Sequence, residues 1–79
     1  MKAIVETELL NVCTYSVEVY VEILNTIAIC KDEEDLRNEM KIVKDKFPYF
    51  NRHFSYGFGS THMWVTEPGR KERLIFVEF

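Results

Sequence analysis

Cysteine is scarce in this chain, and the two that occur, Cys13 and Cys30, form no C-x-x-C pair. Zinc and redox motifs bring their thiols in close pairs, so these two read as free thiols of a reducing compartment. Cys13, Cys30, His53 and His62 can be drawn as a Cys2His2 set. The drawing lacks a preorganised half-site, and the expectation is no metal and no cofactor. Glycine and proline number three and two. Gly57-Phe58-Gly59 is followed by neither a helix nor Lys-Ser/Thr, which removes a phosphate loop. Serine nucleophile elbows, H-E-x-x-H and calcium loops are also missing. No apolar run approaches the ~18 residues of a membrane helix. Glu6 and Glu8 break the stretch where a signal peptide would need continuous apolar residues, so the expected address is the cytoplasm, with no membrane partner. Basic residues are outnumbered, ten Lys and Arg against thirteen Asp and Glu, giving a net charge of −3. Binding bulk nucleic acid needs clustered cations that release counterions, and this balance argues against it as a partner.

Apolar residues, by contrast, make up 47% of the 79 and aromatics 14%, enough for a packed interior without a cofactor. The length allows one domain, residues 1–79, with a thin core that buries roughly 60 to 65% of the surface of the unfolded chain. Val17, Val19, Val21 and Ile23 alternate with Glu18, Tyr20 and Glu22, the period of a half-buried strand. Ala3 to Leu9 repeats the pattern less cleanly, with a turn expected between Asn11 and Thr14. Ile27 to Cys30 reads as a short third strand after an Asn25-Thr26 turn, or as an early helical turn capped by Asn25. Asp32 is placed to cap a helix, with Glu33, Glu34 and Asp35 in its first turn. Leu36, Met40, Val43 and Phe47 then recur at helical spacing until Pro48 ends it.

Phe47 to Phe58 holds six of the eleven aromatic residues. Phe54, Tyr56 and Phe58 alternate as in a strand, and Gly57 and Gly59 mark a bulge or a close approach. Thr61–Glu67 and Glu72–Phe79 flank Pro68-Gly69-Arg70-Lys71, with Pro and Gly in the order of a type II turn. The last strand is apolar on both faces, which points to a central or covered position. The expectation is an α+β fold: an antiparallel sheet of four to five strands packed on one face by a single amphipathic helix, in the order β-β-(β)-α-β-β-β.

Three constellations bear on function. Glu18 and Glu22, if on one strand face, stand roughly 13 Å apart, too far for a carboxylate pair acting directly. His53, His62 and Arg73, with Arg52, Arg70 and Tyr56, could supply proton transfer and charge stabilisation for phosphodiester cleavage. In content this set resembles the compact ribonuclease toxins that act on messenger RNA; the resemblance covers about the last 30 residues and implies a small nucleic-acid enzyme. Tyr56-Gly57-Phe58-Gly59 resembles the glycine and aromatic alternation of RNA-recognition motifs, which would imply stacking of a base or another planar ligand, such as a sequestered nucleotide. Ser60 and Thr61 stand where that motif has an aromatic and an aliphatic residue.

The inventory favours binding over catalysis. More aromatic surface is present than one helix shelters, and Tyr56, Phe58, Trp64 and Phe79 are the expected interface, with Glu18 and Glu22 at its rim. The reading is a non-catalytic interaction module: a regulator or inhibitor of the phage type that docks on a larger protein or self-associates as a homo-oligomer.

Overall fold

The computed structural model describes residues 1–79. In chain order it has a strand β1 (Lys2–Val5), helices α1 (Thr14–Ile29), α2 (Glu33–Lys46) and α3 (Phe50–His53), and strands β2 (Ser55–Phe58), β3 (His62–Thr66) and β4 (Ile75–Glu78). The strands form one antiparallel sheet in the order β1-β4-β3-β2. The class is α+β with a four-stranded antiparallel sheet and three helices, not one.

The difference lies at α1. Thr14–Ile29 is one continuous helix, so the strand expected at Val17–Ile23 and the further strand at Ile27–Cys30 are not formed. The physical reason is in the spacing. Two steps along a helix rotate about 200°, so residues that alternate in sequence fall on nearly opposite flanks. Val19 and Ile23 join Ser16, Thr26 and Ile27 in the interior, whereas Val17 and Val21 lie exposed. The period of two is therefore two helical stripes, each at i and i+4. Glu18 and Glu22 follow the helix too. They sit one turn apart rather than on a strand rim, and Glu22 pairs with Lys46 of α2 at 3.0 Å.

The helix α2 forms as its sequence dictates. The Asp32 side chain accepts the Asp35 backbone N–H at 2.9 Å, and acidic residues occupy the first turn and lysines the last. Leu36, Met40 and Val43 are buried, Phe47 packs against them, and Pro48 follows. The short link Cys30–Asp32 makes α1 and α2 neighbours on the sheet.

One cluster forms the core: Val19, Ile23 and Ile27 from α1, Leu36, Met40 and Val43 from α2, Phe50 and Phe54 around α3, and Met63, Val65, Leu74, Ile75 and Val77 from the sheet region. Removing a side chain such as Ile23 from water stabilises the fold by roughly 1.5–3 kcal/mol. β4, expected to be central or covered, is central, with Ile75 and Val77 inward and Phe76 on the other face. The β3–β4 connection turns where Pro and Gly suggest. Arg70 donates its backbone N–H to the Glu67 carbonyl at 3.1 Å, and Gly69 takes a φ of 81° that suits glycine at the third position of a type II turn.

A buried carboxylate ties this turn to the segment before α1. The Glu67 side chain accepts the backbone N–H groups of Leu10 and Asn11 at 2.5 and 2.8 Å and pairs with Arg70 at 3.0 Å. Arg70 also donates to the Glu8 carbonyl. No helix is long and apolar enough to cross a membrane.

Candidate functional site

The face of the sheet turned away from the helices carries its own side-chain layer. Strand register aligns Ile4, Phe76, Trp64 and Gly57 in one row, and Lys2, Glu78 and His62 in the next. None of Ile4, His62, Trp64 or Phe76 belongs to the core or packs against it. Gly57 makes the row possible. A Cβ there would stand 2.5 Å from Cζ2 of Trp64, so the indole lies over bare backbone. Gly59 does the same for His62, whose ring would come within 3.2 Å of an added Cβ. The glycine alternation in the sequence thus marks a close approach, by rings rather than by a second backbone.

The rings shelter one another. His62 lies 4.7 Å from Phe76 and 5.7 Å from Trp64, centroid to centroid. The Arg73 guanidinium covers Phe76 at 4.3 Å and reaches Glu6 at 3.9 Å. His62, Trp64 and Phe76 are each half-buried as a result. The outcome is a patch of flat rings flanked by Lys2 and Arg73 and by Glu6 and Glu78.

The other expected interface residues lie elsewhere. Tyr56 and Phe58 face the helix layer: Tyr56 meets Phe50 edge-on at 5.9 Å, and Phe58 lies under Arg37 at 4.4 Å and stacks on Phe79 at 6.2 Å. Burial pushes the Tyr56 hydroxyl pKa up. Of the four aromatics named from the sequence, Trp64 alone is on the open face. In the resemblance to RNA-recognition motifs the strand aromatics would stack bases there, and here the glycines occupy that side.

The histidines and arginine of the ribonuclease-like set are also divided. His62 and Arg73 share Phe76 on the open face, whereas His53, in α3, packs on Tyr15 at 5.1 Å and places Nδ1 3.2 Å from Ser16 Oγ. Ser16 belongs to a second small group at the start of α1. Cys13 caps that helix, with Sγ 3.1 Å from Ser16 Oγ and 3.4 Å from the Ser16 backbone N–H that donates to it. These bonds, the side-chain one first, hold the Cys13 thiol below its ordinary pKa. Cys30 is pushed up, by burial first and then by Asp35, Glu39 and Asp32. No three His, Cys, Asp or Glu side chains converge closely enough to hold a metal.

A family model described as Domain of unknown function (DUF8466) matches residues 1–76. The chain belongs to that family. No curated protein and no solved structure matches it.

In this family member, then, two surfaces stand apart from the core: the ringed open face of the sheet, and the outer flank of α1. On that flank Val12, Val17 and Val21 are 75%, 41% and 48% exposed, beside an open depression of about 610 Å³ bordered by Val12, Cys13, Thr14, Val17 and Glu18. Sequence reasoning missed the second surface because it placed Val17 and Val21 on a strand and Val12 in the turn before it. The available signal was punctuation: neither Gly nor Pro occurs before Pro48, and a run of hairpins without either is improbable.

Proposed function

We propose that the chain is a non-catalytic interaction module, a regulator or inhibitor that docks on a larger protein through the open face of its sheet. One observation carries this reading: Trp64 lies over the Gly57 backbone on a face that no helix covers. A ring already fixed in place loses little entropy on binding, and Trp and Arg are among the residues enriched at interface hot spots. Phe76 and Ile4 extend the apolar centre, and Lys2, Glu6, Arg73 and Glu78 supply a rim of both signs. Such a rim sets register and partner choice more than affinity.

The test is a photo-crosslinking phenylalanine analogue placed at Phe76 in cells that produce the protein, with the same analogue at Lys44 on the outer side of α2 as control. Adducts to one discrete protein from position 76, absent at position 44 and reduced by Trp64→Ala, support the reading. Absence of any discrete adduct at position 76 removes it.

A second reading draws on the same geometry. A flat indole with Lys2 and Arg73 close by suits a nucleobase with its phosphate. Trp64 is the single tryptophan, so its fluorescence reports directly. Saturable quenching by a nucleotide or short RNA would favour this reading over a protein partner.

A further inference from the structure

We infer that the exposed flank of α1 is a homodimer seam, on which a second copy packs its own α1 antiparallel about a two-fold axis. This inference concerns a different surface from the open face and does not rest on it. Val17, Val21, Leu24 and Ala28 follow one another at spacings of four, three and four residues. On a helix these positions fall within an arc of about 60°, the narrow stripe of a two-helix seam. Val17, Val21 and Ala28 are exposed and Leu24 is half-buried, so the stripe is distinct from the buried face formed by Val19, Ile23, Thr26 and Ile27. The helix carries two charges, Glu18 and Glu22, and Glu22 is occupied by Lys46.

Charge selects the occupant and the orientation. Glu18, near the start of the seam, has no ion-pair partner, and neither does Lys31, just past its end. A two-fold axis through the middle of the stripe sets Val17 against Ala28 of the second copy and Val21 against Leu24. Lys31 of each copy, just past the end of its helix, then comes level with the first turn of the other copy's α1, where Glu18 lies about one helical turn in and within reach of a lysine stem. A parallel pair would instead set Glu18 against Glu18. The pattern is complementary to itself in the antiparallel sense, which is the condition for an isologous dimer. The depression beside Val12, Cys13 and Val17 is where the partner's Lys31 stem would lie.

Sedimentation equilibrium of the full chain, over about a hundredfold range of concentration, tests this. The expected result is a reversible rise from the 9.4 kDa monomer to twice that mass. Val21→Lys should return the monomer, with far-UV circular dichroism unchanged because the position is exposed. Glu18→Lys and Lys31→Glu should each weaken the dimer about tenfold, and the two together should restore most of the affinity. Lys44→Glu, on the outer side of α2, should change nothing. A monomer at every concentration overturns the inference, as does a dimer indifferent to Val21→Lys. A charge swap without rescue overturns the antiparallel arrangement. None of these outcomes touches the crosslinking result at Phe76, so the two readings can fail separately.

Discussion

Two helices of similar length lie side by side in this molecule and treat their surfaces oppositely. α2 is one-sided: Leu36, Met40 and Val43 are buried, and its remaining positions are charged or polar apart from Ile42. It caps itself with Asp32 and arranges acidic and basic residues along its own dipole. α1 is apolar on two flanks, has no acidic residue in its first turn and no basic one in its last, and is capped by a thiol. A helix that is apolar nearly all round belongs in an interior or an interface. In a chain this small the interior accounts for one flank only, and the other, with Val17 and Val21, stays exposed.

The first way to sharpen the contrast is at the start of α1, which is held from outside the helix. Removing the Glu67 carboxylate by Glu67→Ala strands the backbone N–H groups of Leu10 and Asn11 and leaves Arg70 without its closest ion-pair partner. The expected cost is about 4 kcal/mol in urea unfolding, the largest of the set. Should α1 instead hold its own N-terminus as α2 does, the loss would be under about 1 kcal/mol, the scale of a single cap.

Next comes the pair of stripes within α1. Ile23→Ala should cost about 3 kcal/mol, whereas Val21→Ala, two residues away, should change monomer stability by less than about 0.5 kcal/mol. Both are measured by chemical denaturation at low protein concentration, where no dimer contributes. Equal losses at the two positions would mean that the exposed flank is already covered within one chain.

That pair also explains how much of the fold could be read in advance. α2, the type II turn at Pro68-Gly69 and the central position of β4 were legible because each has a signal with one structural meaning: a cap and a single stripe, a Pro-Gly pair, an apolar run on both faces. The Val17–Ile23 run has two meanings. Alternation fits a strand with one face wet, and it equally fits a helix with two apolar flanks, and the β-branched residues tip the local preference the wrong way. The open-face site was half legible. Trp64, Gly57 and Gly59 all carry a signal, but the face each side chain takes depends on register, which composition does not carry. The Cys13, Ser16 and His53 group depended on α1 being a helix, and was lost with it.

A smaller effect separates the two caps. Asp32→Ala removes a carboxylate that accepts the Asp35 N–H at 2.9 Å, and about 1 kcal/mol should be lost. Cys13→Ala removes a sulfur that accepts at 3.4 Å, a weak bond, and the loss should be a few tenths of that. Thermal melts of the two variants in the Val21→Lys monomer background give the comparison without interference from association. If Cys13→Ala costs as much as Asp32→Ala, the thiol is a stronger cap than its geometry implies.

The smallest difference in free energy is the easiest to read chemically, because each end of α1 carries one cysteine. Cys13 is exposed at the helix start, where Ser16 favours its thiolate and lowers its pKa. Cys30 closes the helix, half-buried beside the acidic start of α2, and both burial and the carboxylates of Asp35, Glu39 and Asp32 raise its pKa. Alkylation by iodoacetamide, followed by mass spectrometry across a pH series, should therefore modify Cys13 first, with its rate rising at a pH below that of Cys30. The linkage signs are opposite. The lowered group stabilises the fold above the ordinary thiol pKa and loses that contribution as pH falls through its folded value. The raised group stabilises below the ordinary thiol pKa and loses its contribution as pH rises through its own folded value. Stability should therefore change little near neutral pH. In the alkaline range Cys30→Ala should remove a decline with pH, while Cys13→Ala should remove a gain. Reaction of both thiols at one pH and one rate would mean that the acidic first turn of α2 does not act on the end of α1, and the electrical contrast between the two helices would be lost.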